Sequence, residues 1–319
     1  MTTIIDGNEI GAQIRSAVGE CVETLTAAGG DPKLAAVLMC DGGAGRTYVS
    51  MKRQACADVA IDCDRYEIDP EAPAEALYER IETLNGDSSV NGITVQTPLP
   101  DHVDVREVRR RIEPAKDVDG LHPENLGRLL TDDPRYKPCT PHGIQMLLSA
   151  YDIATEGTDV VVVGRSTAVG RPTANLFFGR GPGGDATVTV CHSRTDDLAA
   201  KTQDADIVVV AAGEPGLIDG EMLSDGAVVI DVGLNRVEAT DESGSQVVGD
   251  VDYDSAIEKA AAITPVPGGV GPLTTAMLLY NTIVAASRQA GVDVDLPEQS
   301  DLDVPENGDS SRTVTIDSA

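Results

Sequence analysis

Apolar side chains at Ile10, Ile14, Val18, Val22 and Leu25 recur at the spacing of one helix face, and Gly29 and Gly30 close the run. The pattern predicts an amphipathic helix. KLAAVLMC at 33–40 follows as a strand, then a Gly-rich loop at 41–45 and a helical stretch from about 47 to 60. Residues 71–85 read as another helix, and VNGITVQ at 90–96 as a strand that stops at Pro98. Strand and helix alternate, which predicts an α/β domain.

The segment 114–140 is rich in Pro, Gly and Asp and lacks clear periodicity, so it reads as a link between two lobes that lines the space between them. A second α/β unit then begins. TDVVVVG at 158–164 predicts a buried strand, a helix follows the turn at 164–172, and ATVTVCHS, DADIVVVAA and GAVVIDVG predict further strands. Uninterrupted apolar runs of this kind suit parallel strands covered on both faces. PLTTAMLLYNTIVAA at 272–286 reads as a helix. From Gly291 to the end, 29 residues hold eight Asp or Glu, one Arg and no aromatic residue, and this acidic tail, 291–319, is expected to be disordered.

Composition narrows the class. Hydrophobic residues make up 41% and aromatics only 3%, so the core must rest on Val, Ile, Leu and Ala. With 24 Lys and Arg against 53 Asp and Glu, the net charge of −29 argues against a nucleic-acid partner, because phosphate recognition needs a basic footprint. Only 6 of the basic residues are Lys while 18 are Arg, and the acid excess is spread along the chain. This resembles the surface of a halophile's cytosolic protein, whose acidic groups keep it hydrated in concentrated salt. The six cysteines form neither a C-x-x-C pair nor a zinc spacing, so no metal is expected. MTTIIDGNEIGAQIRS has no secretory pattern and no apolar run approaches the ~20 residues of a bilayer span, so the expectation is a soluble, cytoplasmic protein without a membrane partner.

The candidate chemistry lies at strand ends. GRSTAVGRP at 164–172 stands where a strand hands over to a helix, the place where backbone N–H groups face a dinucleotide pyrophosphate. Ser166 takes the second glycine position of the usual fingerprint, and Gly170 closes the turn. Alone, the turn fits an ordinary strand-to-helix connection equally well. The next strand ends in His192, Ser193, Arg194 and Thr195, where a Rossmann unit chooses between a 2′-hydroxyl and a 2′-phosphate. A hydroxyl and a guanidinium there, with Arg165, favour NADP over NAD; the other explanation is that both arginines offset surrounding acid.

Tyr48 and Lys52 lie four apart in a helical stretch and share one face. A lysine in a cleft can donate and accept protons if burial lowers its pKa from about 10.4, although such pairs are more often surface pairs. Gln96 ends a strand where α/β sheets present ligand-binding residues. Asp117 and Asp119 stand in the inter-lobe segment, a place where carboxylates are usually just solvated. TPVPGGVGPLT at 264–274 crowds Pro and Gly before a helix and can offer N–H groups to a ligand.

Together, TYVSMK, GITVQTPLP, KDVDGLHPENLGRL, PCTPHGI, VVVGRSTAVGRP, TVTVCHSRT, AVVIDVGLNRV, GDVDY and ITPVPGGVGPLTTAML resemble, in order, the bifunctional methylenetetrahydrofolate dehydrogenase/methenyltetrahydrofolate cyclohydrolase family. The resemblance implies an N-terminal three-layer α/β catalytic lobe at 1–140, completed by a returning helix at about 271–288. It implies a C-terminal Rossmann-type parallel-sheet lobe at 141–270 that binds NADP, a cleft between the lobes, and a homodimer through the Rossmann lobes. Tetrahydrofolate derivatives would be the substrates. Tyr48 would stack on the folate, Lys52 and Gln96 would form the catalytic pair, and Asp119 would hold the pterin. Val95, Thr97, Pro267, Gly268, Gly269, Val270 and Gly271 would line the folate site. Gly164, Arg165, Ser166, Val169, Gly170, Ser193, Arg194 and Leu234 would contact NADP.

Three positions depart from the family pattern: Gly45 where many members carry Ser, Thr97 in place of Leu, and His142 where Lys or Arg is more common. Two alternatives stand beside the bifunctional enzyme. One is a member that keeps only the dehydrogenase step, the other a non-catalytic module that binds NADP or folate.

Overall fold

The computed structural model describes residues 1–40, 43–238, 245–302 and 304. In chain order the strands are β1 (Thr3–Ile4), β2 (Lys33–Leu38), β3 (Asp62–Glu67), β4 (Gly92–Val95), β5 (Asp159–Val163), β6 (Thr187–Cys191), β7 (Ile207–Val210), β8 (Val228–Asp231), β9 (Asn235–Val237), β10 (Gln246–Val248) and β11 (Ala262–Ile263). The described residues divide into two compact units. One holds Met1–Ala12, Thr140–Thr274 and the described part of Pro297–Ala319, and the other Gln13–Cys139 with Thr275–Leu296.

The second of these is built on the parallel sheet β3-β2-β4. β2 sits in the middle, which is why KLAAVL is almost wholly buried, whereas β3, DCDRYE, lies at an edge with partly exposed side chains. No apolar pattern marks β3, so periodicity does not predict it. The helix after β2 spans Gly43–Asp58, starting before the expected 47, and Asp41 and Gly42 of the Gly-rich loop fall outside the described residues. Leu77, Ile81 and Leu84 of the helix Ala74–Gly86 pack with Ala35, Val37, Ile93 and Val108 in one cluster.

The segment 114–140, expected to be a link without periodicity, is largely part of this unit and carries the helix Pro123–Leu130. Its buried polar groups explain why apolar periodicity could not reveal it. Lys116 is 7% exposed and donates from Nζ to the carbonyls of Leu84, Asn85 and Asp87 at 2.9, 2.9 and 2.6 Å, closing the C-terminus of the helix Ala74–Gly86. Asp117, 2% exposed, accepts from the N–H of His122 and from Asn125 Nδ2, both at 2.7 Å.

The other unit is a six-stranded parallel sheet in the order β1-β11-β8-β7-β5-β6. Val160–Val163, Ile207–Val210 and Val228–Ile230 are buried on both faces, as their unbroken apolar runs require. The chain runs from β5 outward to β6 and then crosses back to β7, so the strand order reverses between β5 and β7. Crevices at the carboxyl ends of such strands are where open α/β sheets bind ligands. β1 and β11 are two residues each, too short to leave a pattern, and they extend the sheet at one edge.

The helix Val270–Ala290 is long and apolar enough, by length and composition, to cross a membrane. Leu273, Ala276, Met277, Leu279 and Ile283 are each 0% exposed, as in a core helix. The first part of the acidic tail also has order. Glu298 and Asp301 form a capping box, the carbonyl of Gln299 accepts from Ser149, and Leu302 is buried. One apolar anchor and local capping bonds suffice there despite the charge; residues 305–319 lie outside the described residues.

Candidate active site and dinucleotide site

In the unit built on β3-β2-β4, the helix Gly43–Asp58 carries Tyr48 and Lys52, and β4 delivers Gln96 one residue beyond its end. The N–H of Gln96 donates to the carbonyl of Val37 at 2.9 Å, so the β-ladder fixes its backbone. Lys52 Nζ donates to Gln96 Oε1 at 3.2 Å, and Gln96 Nε2 donates to the carbonyl of Thr97 at 2.6 Å. The second bond orients the amide: with Nε2 committed to a carbonyl, Oε1 is the atom turned to the ammonium. Lys52 is half-buried, while the Tyr48 ring is 40% exposed and forms no hydrogen bond among the described residues.

The two-residue period of β4 sorts its neighbours. Ile93 and the partly buried Val95 face the apolar cluster. Thr94 and Gln96 face the other way. Thr94 Oγ1 donates to Asp119 Oδ2 at 2.9 Å, which sets Asp119 on the face that carries Lys52 and Gln96. Asp119 is half-buried, and its Oδ1 accepts no hydrogen bond among the described residues. Arg109 lies close enough to feel both Asp119 and Asp117, and burial lowers its pKa. Burial pushes the Asp117 carboxyl up, against the lowering effect of its bonds from His122 and Asn125.

Asn281, on the helix Val270–Ala290, donates to the carbonyls of Val118 and Lys137 at 2.8 and 3.0 Å and pins the strip that carries Asp119. Neither Thr94 nor Asn281 is among the site residues expected from sequence. Period-two spacing from Gln96 was a signal for the first, and nothing local signals the second. Gly45 has a local cause, since a Cβ there would overlap Cys40 Sγ. Thr97 is exposed, and His142 is buried on the helix Cys139–Ala150.

In the six-stranded unit, Gly164 follows β5 with φ +131, a backbone geometry that favours glycine, and a Cβ there would overlap the carbonyl oxygen of Ala211. The turn thus sits hard against the end of β7, at the reversal point of the strand order. Val163 is paired with Cys191, which sets Arg165 and Ser193 equally far beyond paired residues. Arg165, Ser166, Ser193 and Arg194 are exposed, and neither arginine forms an ion pair among the described residues.

The helix N-terminus differs from expectation. The N–H groups of Val169 and Gly170 donate to Ser166 Oγ at 3.1 and 3.3 Å, so the serine takes the donors that the sequence offered to a pyrophosphate. The N–H groups of Arg165 and Ser166 carry no hydrogen bond among the described residues and stand open. A close-approach glycine, open N–H groups and two unpaired guanidiniums fit a phosphorylated dinucleotide. Leu234 is 51% exposed beyond β8.

Pro267, Gly268, Gly269, Val270 and Gly271 belong to this unit, not to the one that holds Lys52. The carbonyl of Gly268 accepts from the N–H of Gly7, the N–H of Gly269 is bonded to the carbonyl of Pro265, and Val270 is buried. Pro267 and Gly271 are exposed.

A Rossmann unit with a turn shaped for a dinucleotide, together with a unit that gathers a lysine, an amide and a carboxylate on one face, defines a nicotinamide-dependent enzyme. Comparisons with known proteins agree. Residues 5–119 match the catalytic domain of the tetrahydrofolate dehydrogenase/cyclohydrolase family, and 138–290 its NAD(P)-binding domain. Bifunctional protein FolD 2 of Haloarcula marismortui is 62% identical over 93% of this chain and all of its own, and bifunctional protein FolD of Natronomonas pharaonis is 58% identical with the same coverage. The bifunctional FolD structure from Campylobacter jejuni superposes with a TM-score of 0.84 at 42% identity, over 90% of this chain and 99% of its own. The Trypanosoma brucei dehydrogenase-cyclohydrolase, solved with NADP and an inhibitor, gives 0.85 at 39% identity, over 90% and 98%. This chain belongs to the tetrahydrofolate dehydrogenase/cyclohydrolase family.

Proposed function

We propose that the protein oxidises 5,10-methylenetetrahydrofolate to 5,10-methenyltetrahydrofolate with NADP and hydrolyses that product to 10-formyltetrahydrofolate, with Lys52 moving the protons of hydrolysis. The hydrogen bond from Lys52 to Gln96 carries this reading, because a binding module has no need of an amine held by a strand-end amide.

In the first step the methylene carbon loses a hydride while the adjacent pterin nitrogen donates its lone pair, and no base is required. NADP supplies the hydride acceptor when bound. Arg165, Ser193 and Arg194 would offer its 2′-phosphate two guanidiniums and a hydroxyl, and the N–H groups of Arg165 and Ser166 would be donors for the pyrophosphate. Tyr48 offers an exposed ring face for stacking, and Asp119 has Oδ1 free to accept from the N–H groups of the pterin.

In the second step water adds to the methenyl cation and loses a proton; the carbon–nitrogen bond then breaks as that nitrogen gains a proton and the remaining hydroxyl proton leaves to form the formyl carbonyl, so that one proton is released overall. Lys52 takes the first proton as an amine and returns one as an ammonium. Gln96 keeps Nζ aimed through both states, since Oε1 accepts from either. We also propose a cytoplasmic homodimer. β6 is an edge strand of its sheet with Val190 39% exposed, and Phe178 at the end of the helix Gly170–Phe178 is 51% exposed; a second copy would cover this edge.

The test mixes the purified protein, in molar KCl, with methylenetetrahydrofolate and either NADP or NAD. Methenyl absorbance that rises with NADP and then decays is the expected result. No rise with either dinucleotide would defeat the proposal, and a rise without decay would leave a dehydrogenase alone.

A further inference from the structure

Two carboxylates in the six-stranded unit are buried with no cationic partner. Asp250 is 0% exposed and Asp231 4%, and neither forms an ion pair among the described residues. Every partner is an N–H donor. Asp250 Oδ2 accepts from the backbone of Ala212 and Gly213 at 2.7 and 2.8 Å, and Oδ1 from Asn235 Nδ2 at 2.7 Å. Asp231 Oδ1 accepts from the N–H groups of Gly233 and Asp250 at 2.8 and 3.0 Å, and Oδ2 from Val251 at 3.0 Å. A Cβ at Gly233 would overlap Asp250, and one at Gly249 would overlap the Asp231 carboxylate.

Withdrawing two carboxylates from water costs several kcal/mol each unless their hydrogen bonds are nearly complete. In a chain with 53 acidic residues free to stay at the surface, such burial marks backbone that must hold one geometry. The segments held are the two at the strand reversal. Ala212 and Gly213 are exposed backbone just past β7, next to the Ala211 carbonyl on which the Gly164 turn rests. Leu234 stands between Gly233, held by Asp231, and Asn235, held to Asp250.

We infer that Asp231 and Asp250 are positioning residues for the dinucleotide: they brace residues 211–213 and 233–235 as one wall of the site opened by the Gly164 turn, and thereby set the affinity for NADP. This rests on the proposed NADP site. Neither carboxylate touches the dinucleotide in this scheme. Each acts through the backbone it holds.

Calorimetric titration of the full chain with NADP in molar KCl tests the brace. In Asp250→Asn an amide donor would replace an acceptor whose every partner is a donor, and NADP binding is expected to weaken tenfold or more. The exchange Asp250→Asn with Asn235→Asp restores that donor–acceptor pair, and is expected to recover most of the affinity. Hydrolysis of methenyltetrahydrofolate without dinucleotide should stay within twofold in both variants, and the thermal midpoint of the free protein within a few degrees.

NADP binding equal to wild type in Asp250→Asn would overturn the inference, as would hydrolysis falling in step with binding. Should that variant not fold, Asn235→Ala removes the amide that donates to Asp250 Oδ1 and to the Gly249 carbonyl and is expected to weaken NADP about threefold; wild-type affinity there would overturn it equally. A wild-type protein that binds NADP without oxidising methylenetetrahydrofolate would sink the proposed function while the brace is still judged by calorimetry. One that does not bind NADP would end both.

Discussion

Lys52 and Gln96 lie 44 positions apart in sequence and meet at 3.2 Å, the lysine from a helix and the amide from one residue past a strand. The ladder bond to Val37 fixes the amide backbone and the Thr97 carbonyl fixes its rotation, so the lysine is the one member of the pair with freedom to move.

Proton transfer is therefore expected to depend on Lys52 far more than hydride transfer does. Lys52→Met should lower hydrolysis of methenyltetrahydrofolate by roughly 10²-fold or more and keep measurable dehydrogenase activity. Both rates are read from one absorbance trace, and an equal fall in the two would reject the assignment.

Arg165 and Arg194 are exposed and unpaired, so removing them costs the fold little. Replacing both by Ala should raise KM for NADP tenfold or more, about 1.4 kcal/mol or more, and leave KM for NAD nearly unchanged. A parallel rise for the two dinucleotides would show that the arginines do not read the 2′-phosphate.

Asp231 has its pKa raised by burial from 3.8 to about 6, against the lowering effect of its three N–H donors. The folded state thus holds this proton more tightly than the unfolded chain. Its contribution to stability falls as pH rises through the window from about 4 to 6, by roughly 3 kcal/mol for a shift of about two units. Urea unfolding across that window should show this loss in the wild type and not in Asp231→Asn. Parallel curves for the two proteins would contradict it.

Salt bears on the whole surface. With a net charge of −29, repulsion is screened over about 3 Å at 1 M but about 10 Å at 0.1 M. Moving from 2 M to 0.1 M KCl should lower the thermal midpoint by several degrees, and a midpoint insensitive to KCl would argue that the acidic surface is unrelated to salt.

Cys63 is partly exposed, and its pKa is lowered chiefly by the neighbouring Cys56 thiol, whose own pKa is raised by Cys63 and by burial. Cys21, Cys139 and Cys191 are buried and raised. Brief alkylation followed by peptide mass mapping should find Cys63 modified ahead of these three, and faster labelling of any of them would refute this order.

Buried strands and amphipathic helices were legible because burial on both faces demands unbroken apolar runs and burial on one face demands a period. KLAAVL, DVVVV, IVVV and VVID all show it. The dinucleotide turn and the Tyr48, Lys52, Gln96 and Asp119 set were legible too, because their chemistry confines them to strand ends and one helix face. Edge strand β3, two-residue β1 and the order within 114–140 were not, since polar side chains and short pairings leave no period. Only the tertiary structure decided that Ser166 takes the N–H groups of Val169 and Gly170, that Thr94 holds Asp119, and that Asp231 and Asp250 are buried braces rather than surface acid. Each depends on which atoms meet across tens of residues, and a hydrogen bond is set by that meeting, not by the neighbours of either residue along the chain.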